Sequence, residues 1–224
     1  MRVRIASVLP AAVLAFVFVA QPIKSRADVL FTNFGPGQTY VGNSWWDVGA
    51  VPGAGPEVNA FPFVPTQTAT LTGADLALTA TAGSPTPLNV FIESSSGGAP
   101  GTILGTLTQV GNYSAYTTTT VVNFACSGSC STLNAGTTYW IVGQQTNTAN
   151  QAGWMYSFGD SGNWFYNYAN SATGPWTAAT TGNQFSAFDV TGTPSPVPEP
   201  ASIALLASGL VGILAAAKRR LRIA

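Results

Sequence analysis

Leu88-Asn89-Val90-Phe91-Ile92-Glu93, leading into the turn-forming run Gly97-Gly98-Ala99-Pro100-Gly101, decides the class of fold. In an extended chain Leu88, Val90 and Ile92 share one face while Asn89 and Glu93 share the other, the period of two that a half-buried strand requires. The same period recurs at Leu76, Leu78 and Ala80, and again at Thr120, Val122 and Phe124 against Thr119, Val121 and Asn123. Tyr139 to Val142 is apolar on both faces, as expected of a strand covered on both sides. Trp154, Tyr156 and Phe158 form one aromatic stripe, Trp164, Tyr166 and Tyr168 form the next, and Phe188 with Val190 closes the series. Turn signals separate these runs at Gly35-Pro36-Gly37, Pro52-Gly53, Gly83-Ser84-Pro85, Asn134-Ala135-Gly136 and Gly159 to Asn163. No long stretch carries the 3.6-residue apolar period of a helix. Residues 28–190 therefore read as all-β, a single β-sandwich or jelly roll.

Working outward, the two ends differ sharply from this middle. Residues 1–27 carry Arg2 and Arg4, an apolar run from Val8 to Ala20 and the small residues of Ser25-Arg26-Ala27, the plan of a secretory signal peptide. After Val190 comes a linker rich in proline and small residues, 191–200, expected to be extended. Val197-Pro198-Glu199-Pro200 then breaks the chain, because proline fixes φ and lacks an amide donor; helix can start only beyond it. Ala201 to Ala217 has no charge, and its seventeen residues reach roughly 25 Å as a helix, the lower limit for a membrane span. Lys218, Arg219, Arg220 and Arg222 follow and predict a cytoplasmic end.

All eight basic residues of the 224 lie in those ends, and all eight acids lie from Asp28 to Glu199. With residues 1–27 and 201–224 removed the chain keeps eight acids and no lysine, arginine or histidine, a charge of about minus eight. Nucleic acid is excluded as a partner, since phosphate neutralisation needs Lys and Arg. A serine or cysteine nucleophile has no histidine or lysine to activate it, and zinc lacks its usual ligands. No metal or other cofactor is expected.

The order of Pro198-Glu199-Pro200, apolar helix and Arg-rich tail, from Val197 to Arg222, resembles the PEP-CTERM sorting signal of exported bacterial proteins. The resemblance implies a membrane-embedded processing enzyme, exosortase, as partner, a chain held in the inner membrane until the tail is removed, and a final place at the cell surface or in the extracellular matrix. It also implies a setting in which exopolysaccharide is made. Leu88-Asn89-Val90-Phe91-Ile92 with its Gly-Pro loop, and Leu133-Asn134-Ala135-Gly136-Thr137-Thr138-Tyr139-Trp140, resemble in turn the choice-of-anchor extracellular β modules. Those bring no catalytic residues.

Cys126 and Cys130, the two cysteines, read as a structural disulfide in an exported protein. Trp154, Tyr156, Trp164, Tyr166, Tyr168 and Trp176 have two readings. On two adjacent antiparallel strands they make a flat row on which sugar rings stack, a carbohydrate-binding face; alternatively they build one half of the core. Trp45 and Trp46 point to opposite faces of a strand, so one alone enters the core. Asp47, Glu57, Asp75, Glu93, Asp160 and Asp189 are scattered and read as surface acids; glycoside hydrolysis would need two of them converging in a cleft. The expectation is a non-enzymatic structural or adhesive protein, with carbohydrate binding as the alternative.

Overall fold

The computed structural model describes residues 27–115, 118–179 and 182–195. Nearly all of the expected signal peptide, the Pro198-Glu199-Pro200 motif, the apolar helix and the basic tail lie outside the described residues.

Eight strands make a wall: β2 (Val41–Val51), β3 (Gly55–Phe63), β4 (Ala69–Ala82), β5 (Leu88–Ser96), β6 (Ala99–Val110), β7 (Thr120–Cys126), β9 (Tyr139–Gln145) and β10 (Gln151–Gly162). Their hydrogen-bonded order runs β4-β7-β6-β5-β9-β3-β2-β10, and β10 pairs back onto β4 through Ala152 with Ala80 and Trp154 with Leu78. The sheet therefore closes on itself. This corrects the expected architecture: the fold is all-β as read, but it is a closed eight-stranded antiparallel barrel with extra strands, not a sandwich or jelly roll. A sandwich leaves sheet edges unpaired, and closure abolishes them.

The device that allows closure is the length of β4. Its 14 residues span roughly 45 Å, enough for two partners in succession along one edge. β14 (Phe188–Pro194) takes Ala69 to Leu76, and β10 takes Leu78 to Ala82. The remaining strands are attached to the wall: β1 (Asp28–Thr32) on β14, β8 (Thr132–Leu133) on β4, β13 (Asn183–Ser186) on β10, β11 (Phe165–Asn167) on β3, and β12 (Thr177–Ala178) on β11. β14 continues through Thr191–Pro194, four residues into the stretch read as linker.

Alternation fills the interior. Leu76, Leu78, Leu88, Val90, Ile92, Val122, Phe124, Tyr139 and Ile141 join one cluster with Phe61, Trp154 and Phe188. Alternate residues of β9, Trp140 and Val142, face the other way and build an outer cluster with Val58, Ala60 and Ala172, so the two-faced reading of Tyr139 to Val142 matches. Aromatic side chains bury about 150 to 250 Å² each, which makes the Phe61, Trp154 and Phe188 group a principal part of the core. Cys126 and Cys130 are bonded to each other and close the turn between β7 and β8.

Candidate functional site: an aromatic pocket where the barrel wall splits

Gly49 sets the local geometry of the site. It sits within β2 at φ 101°, a left-handed conformation that L side chains rarely adopt, and a Cβ there would collide with the Asn150 carbonyl and the Gln145 side chain. From Gly49 to Val51, β2 pairs with β3. Before Gly49 it leaves β3 and stays with β10 alone. The vacated edge of β3, Val58 to Ala60, is taken by β11. Two strands thus diverge from one edge of β3, and a pocket of about 430 Å³ opens between them.

Its floor and walls are rings. Trp46 and Trp164 lie with ring centroids 4.6 Å apart, Trp164 reaches Tyr166 at 5.7 Å, and Tyr166 reaches Tyr168 at 5.4 Å. Trp164 also stacks on Phe61 of the core at 5.3 Å, so the pocket floor is the top layer of the barrel interior. Trp46 is fixed by its indole N–H, which donates to the Gln184 carbonyl at 2.7 Å. Trp45, on the opposite face of β2, packs on a small outer cluster with Ala77, Met155 and Ala187 and still reaches the pocket rim. Of the two tryptophans, Trp46 alone packs against the main core, half-buried, as expected of residues on opposite faces of a strand.

Two carboxylic acids line the same space, Asp47 and Glu57. The Trp45 indole donates to Asp47 Oδ1 at 3.0 Å, and Asn59 Nδ2 donates to the Asp47 carbonyl at 2.7 Å. Burial raises the Asp47 pKa, with the Trp45 bond opposing. Glu57 is 8% exposed, and burial followed by the negative charge of Asp47 pushes it up to about 7, with an Asn59 hydrogen bond opposing. The field reaches the phenols as well: Tyr156 and Tyr168 are raised, first by burial and then by these two acids among their neighbours.

The six rings do not form a single row, one of the two readings, because β10 and β11 are not neighbours; β10 pairs with β2, β4 and β13, and β11 with β3 and β12. Trp154 is fully buried in the core with its N–H donating to the Ala187 carbonyl. Tyr156 lies beside Trp46, at 5.2 Å. Trp164, Tyr166 and Tyr168 come together in the pocket, and Trp176 packs on the outer cluster of β3 and β9. The acids are not all at the surface either. Glu57, Glu93 and Asp189 are buried, and burial together with neighbouring Asp75 raises Asp189 to about 6.

Sequence reasoning did not bring Asp47 and Glu57 together. The signal was present: the Pro52-Gly53 turn pairs Val51 with Gly55 and Gly49 with Glu57, which brings Asp47 within two residues of Glu57's partner.

The described residues thus form a closed antiparallel barrel with an aromatic, doubly acidic pocket in its wall. Beyond them, residues 196–220 match the PEP-CTERM protein-sorting motif, which contains Pro198-Glu199-Pro200. The chain thus carries a PEP-CTERM sorting motif, which marks it for export and for processing by the exosortase system. No curated protein matches the chain.

Proposed function

We propose that this protein is a non-enzymatic adhesive component of the cell surface or extracellular matrix, and that its barrel holds saccharide in the pocket between β2, β3 and β11. The observation that carries the reading is the continuous run of rings from Trp46 through Trp164 and Tyr166 to Tyr168 along a cavity of about 430 Å³. That volume lies in the ordinary range for ligand sites. The C–H faces of a sugar ring are apolar and stack on such rings, while its hydroxyls donate to carboxylate oxygens of the kind Asp47 and Glu57 offer. A second depression shares Trp45 and is bounded by Asn43, Ser44 and Tyr156, so the surface suits a chain of sugars better than a single one. In this reading the apolar helix of Ala201 to Ala217 holds the protein in the inner membrane until exosortase removes the tail, and exopolysaccharide is the polymer engaged.

The test is co-sedimentation of the full-length chain with exopolysaccharide, beside Tyr168→Ala, whose half-exposed ring can be removed with little effect on the core. The native chain is expected in the pellet and the variant mostly in the supernatant. Equal pelleting of both, or of neither, overturns the reading.

A further inference from the structure

We infer that the saccharide bound in this pocket carries a protonated amine, as a hexosamine with a free amino group does, and that Asp47 and Glu57 receive it. The inference rests on the saccharide reading above and narrows it to one ligand class.

The charge pattern is the first ground. Two acids line one cavity, and the sequence has no lysine, arginine or histidine between Arg26 and Lys218 to balance them. An ionised carboxylate that is nine-tenths buried, as Glu57 is, carries a desolvation cost unless a cation or a proton offsets it. The protein supplies no side-chain cation among the described residues. A cationic ligand would.

The walls are the second ground. Trp45, Trp46 and Trp164 surround the same space, and indole faces attract ammonium groups as well as apolar C–H faces. A free-amine hexosamine uses both properties at once: its ring stacks, and its ammonium offers three N–H donors to the carboxylate oxygens. A divalent cation fits less well. Calcium takes six to eight oxygens, and among the described residues no group of three or more metal-ligating acids, cysteines or histidines exists.

The raised proton affinity of Glu57 supports the same conclusion. With its pKa pushed up to about 7, Glu57 exchanges a proton near neutrality, so binding of an ammonium there is coupled to proton release.

The experiment is calorimetric titration of the full-length chain with three oligosaccharides of equal length: free-amine glucosamine, N-acetylglucosamine and glucose. The free-amine ligand is expected to bind at least tenfold more tightly than the other two, and to weaken severalfold between 50 and 500 mM salt, because screening reaches the rim of the pocket. Equal or tighter binding of the N-acetylated or neutral ligand overturns the inference while leaving the saccharide reading intact. Absence of binding by all three to folded protein overturns both. Asp47→Asn with Glu57→Gln is expected to abolish the preference for the amine, whereas Asp28→Asn with Asp160→Asn, which removes the same charge from exposed positions, is expected to leave it unchanged. If the exposed pair lowers amine affinity as much as the pocket pair, the attraction is to net acidity and the inference fails. Should the pocket variant not fold, the comparison of ligands and the exposed-pair control decide on their own.

Discussion

Trp46 and Trp164 touch with centroids 4.6 Å apart, although Trp46's strand β2 and the β11 strand that follows Trp164 share no hydrogen-bonded ladder. Their rings bridge the split in the wall. Trp164 is 3% exposed and also lies on Phe61, so its removal takes away both the bridge and the lid of the core. Trp164→Ala is expected to cost about 3 to 5 kcal/mol, measured by urea unfolding, with Trp46 fluorescence shifting to the red in whatever fraction remains folded. A loss below about 1 kcal/mol would show that the bridge is dispensable.

Glu93 gives a pH prediction. It has no exposed surface, neither carboxylate oxygen has a hydrogen-bond partner among the described residues, and it faces Trp140 and Ile103 on the neighbouring strands. Burial raises its pKa from the ordinary 4.5 to about 8. The folded state therefore holds this proton more tightly than the unfolded state, and the stability it confers is complete below about pH 4.5 and lost as pH rises to about 8. The melting temperature at pH 9 is expected to fall roughly 4 °C or more below that at pH 6, and Glu93→Gln to remove most of the difference. A flat profile in the native protein would refute this.

Glu57 titrates for a different reason in part. Burial leads, but the charge of Asp47 adds to it. Following the Glu57 carboxyl by NMR, a midpoint of about 7 is expected in the native protein. Asp47→Asn removes a negative neighbour and is expected to lower that midpoint without returning it to 4.5, because burial remains. An unchanged midpoint would place the whole effect in burial.

The Cys126–Cys130 bridge spans a separation of 4 residues. Extending chain-entropy reasoning to so small a loop gives about 2 kcal/mol. Cys126→Ser with Cys130→Ser is expected to lower stability by that amount and to leave saccharide binding intact, since neither cysteine lines the pocket. Loss of binding in a folded variant would contradict the separation of turn and site.

Because Asp47 and Glu57 both line the cavity, hydrolysis of the bound polymer has to be measured directly. No reducing ends are expected from any of the three oligosaccharides. Their release by the native chain and not by Glu57→Gln would replace adhesion with glycoside hydrolysis as the activity.

Which parts of this were legible beforehand follows from the range of the interactions. The faces of Leu88, Val90 and Ile92, and the double burial of Tyr139 to Val142, depend on neighbours within one strand, and alternation reports them directly. Closure depends on Trp154 meeting Leu78 across the chain, and the same alternation serves a sandwich equally well. The aromatic stripes failed as a row for a related reason. Consecutive strands are usually neighbours, yet β11 crosses to β3, and the ladder shifts register between Met155 and Tyr156. Glu93 lies on the face its alternation predicts, but its burial is not legible locally, since nothing in the sequence of β5 shows that its outer face is covered.

The end of β14 also fixes how the pocket is presented. Pro194 pairs with Ala69, and Ser195 donates its amide to the Thr68 carbonyl, beside the segment that follows Phe63. Only Pro196 and Val197 separate that point from the Pro198-Glu199-Pro200 motif, a leash of at most roughly 10 Å. Glu57 stands at the other end of β3, six residues or roughly 20 Å from Phe63. On the attachment proposed above, so short a leash would hold the barrel by its foot and keep the pocket on the side away from the point of attachment.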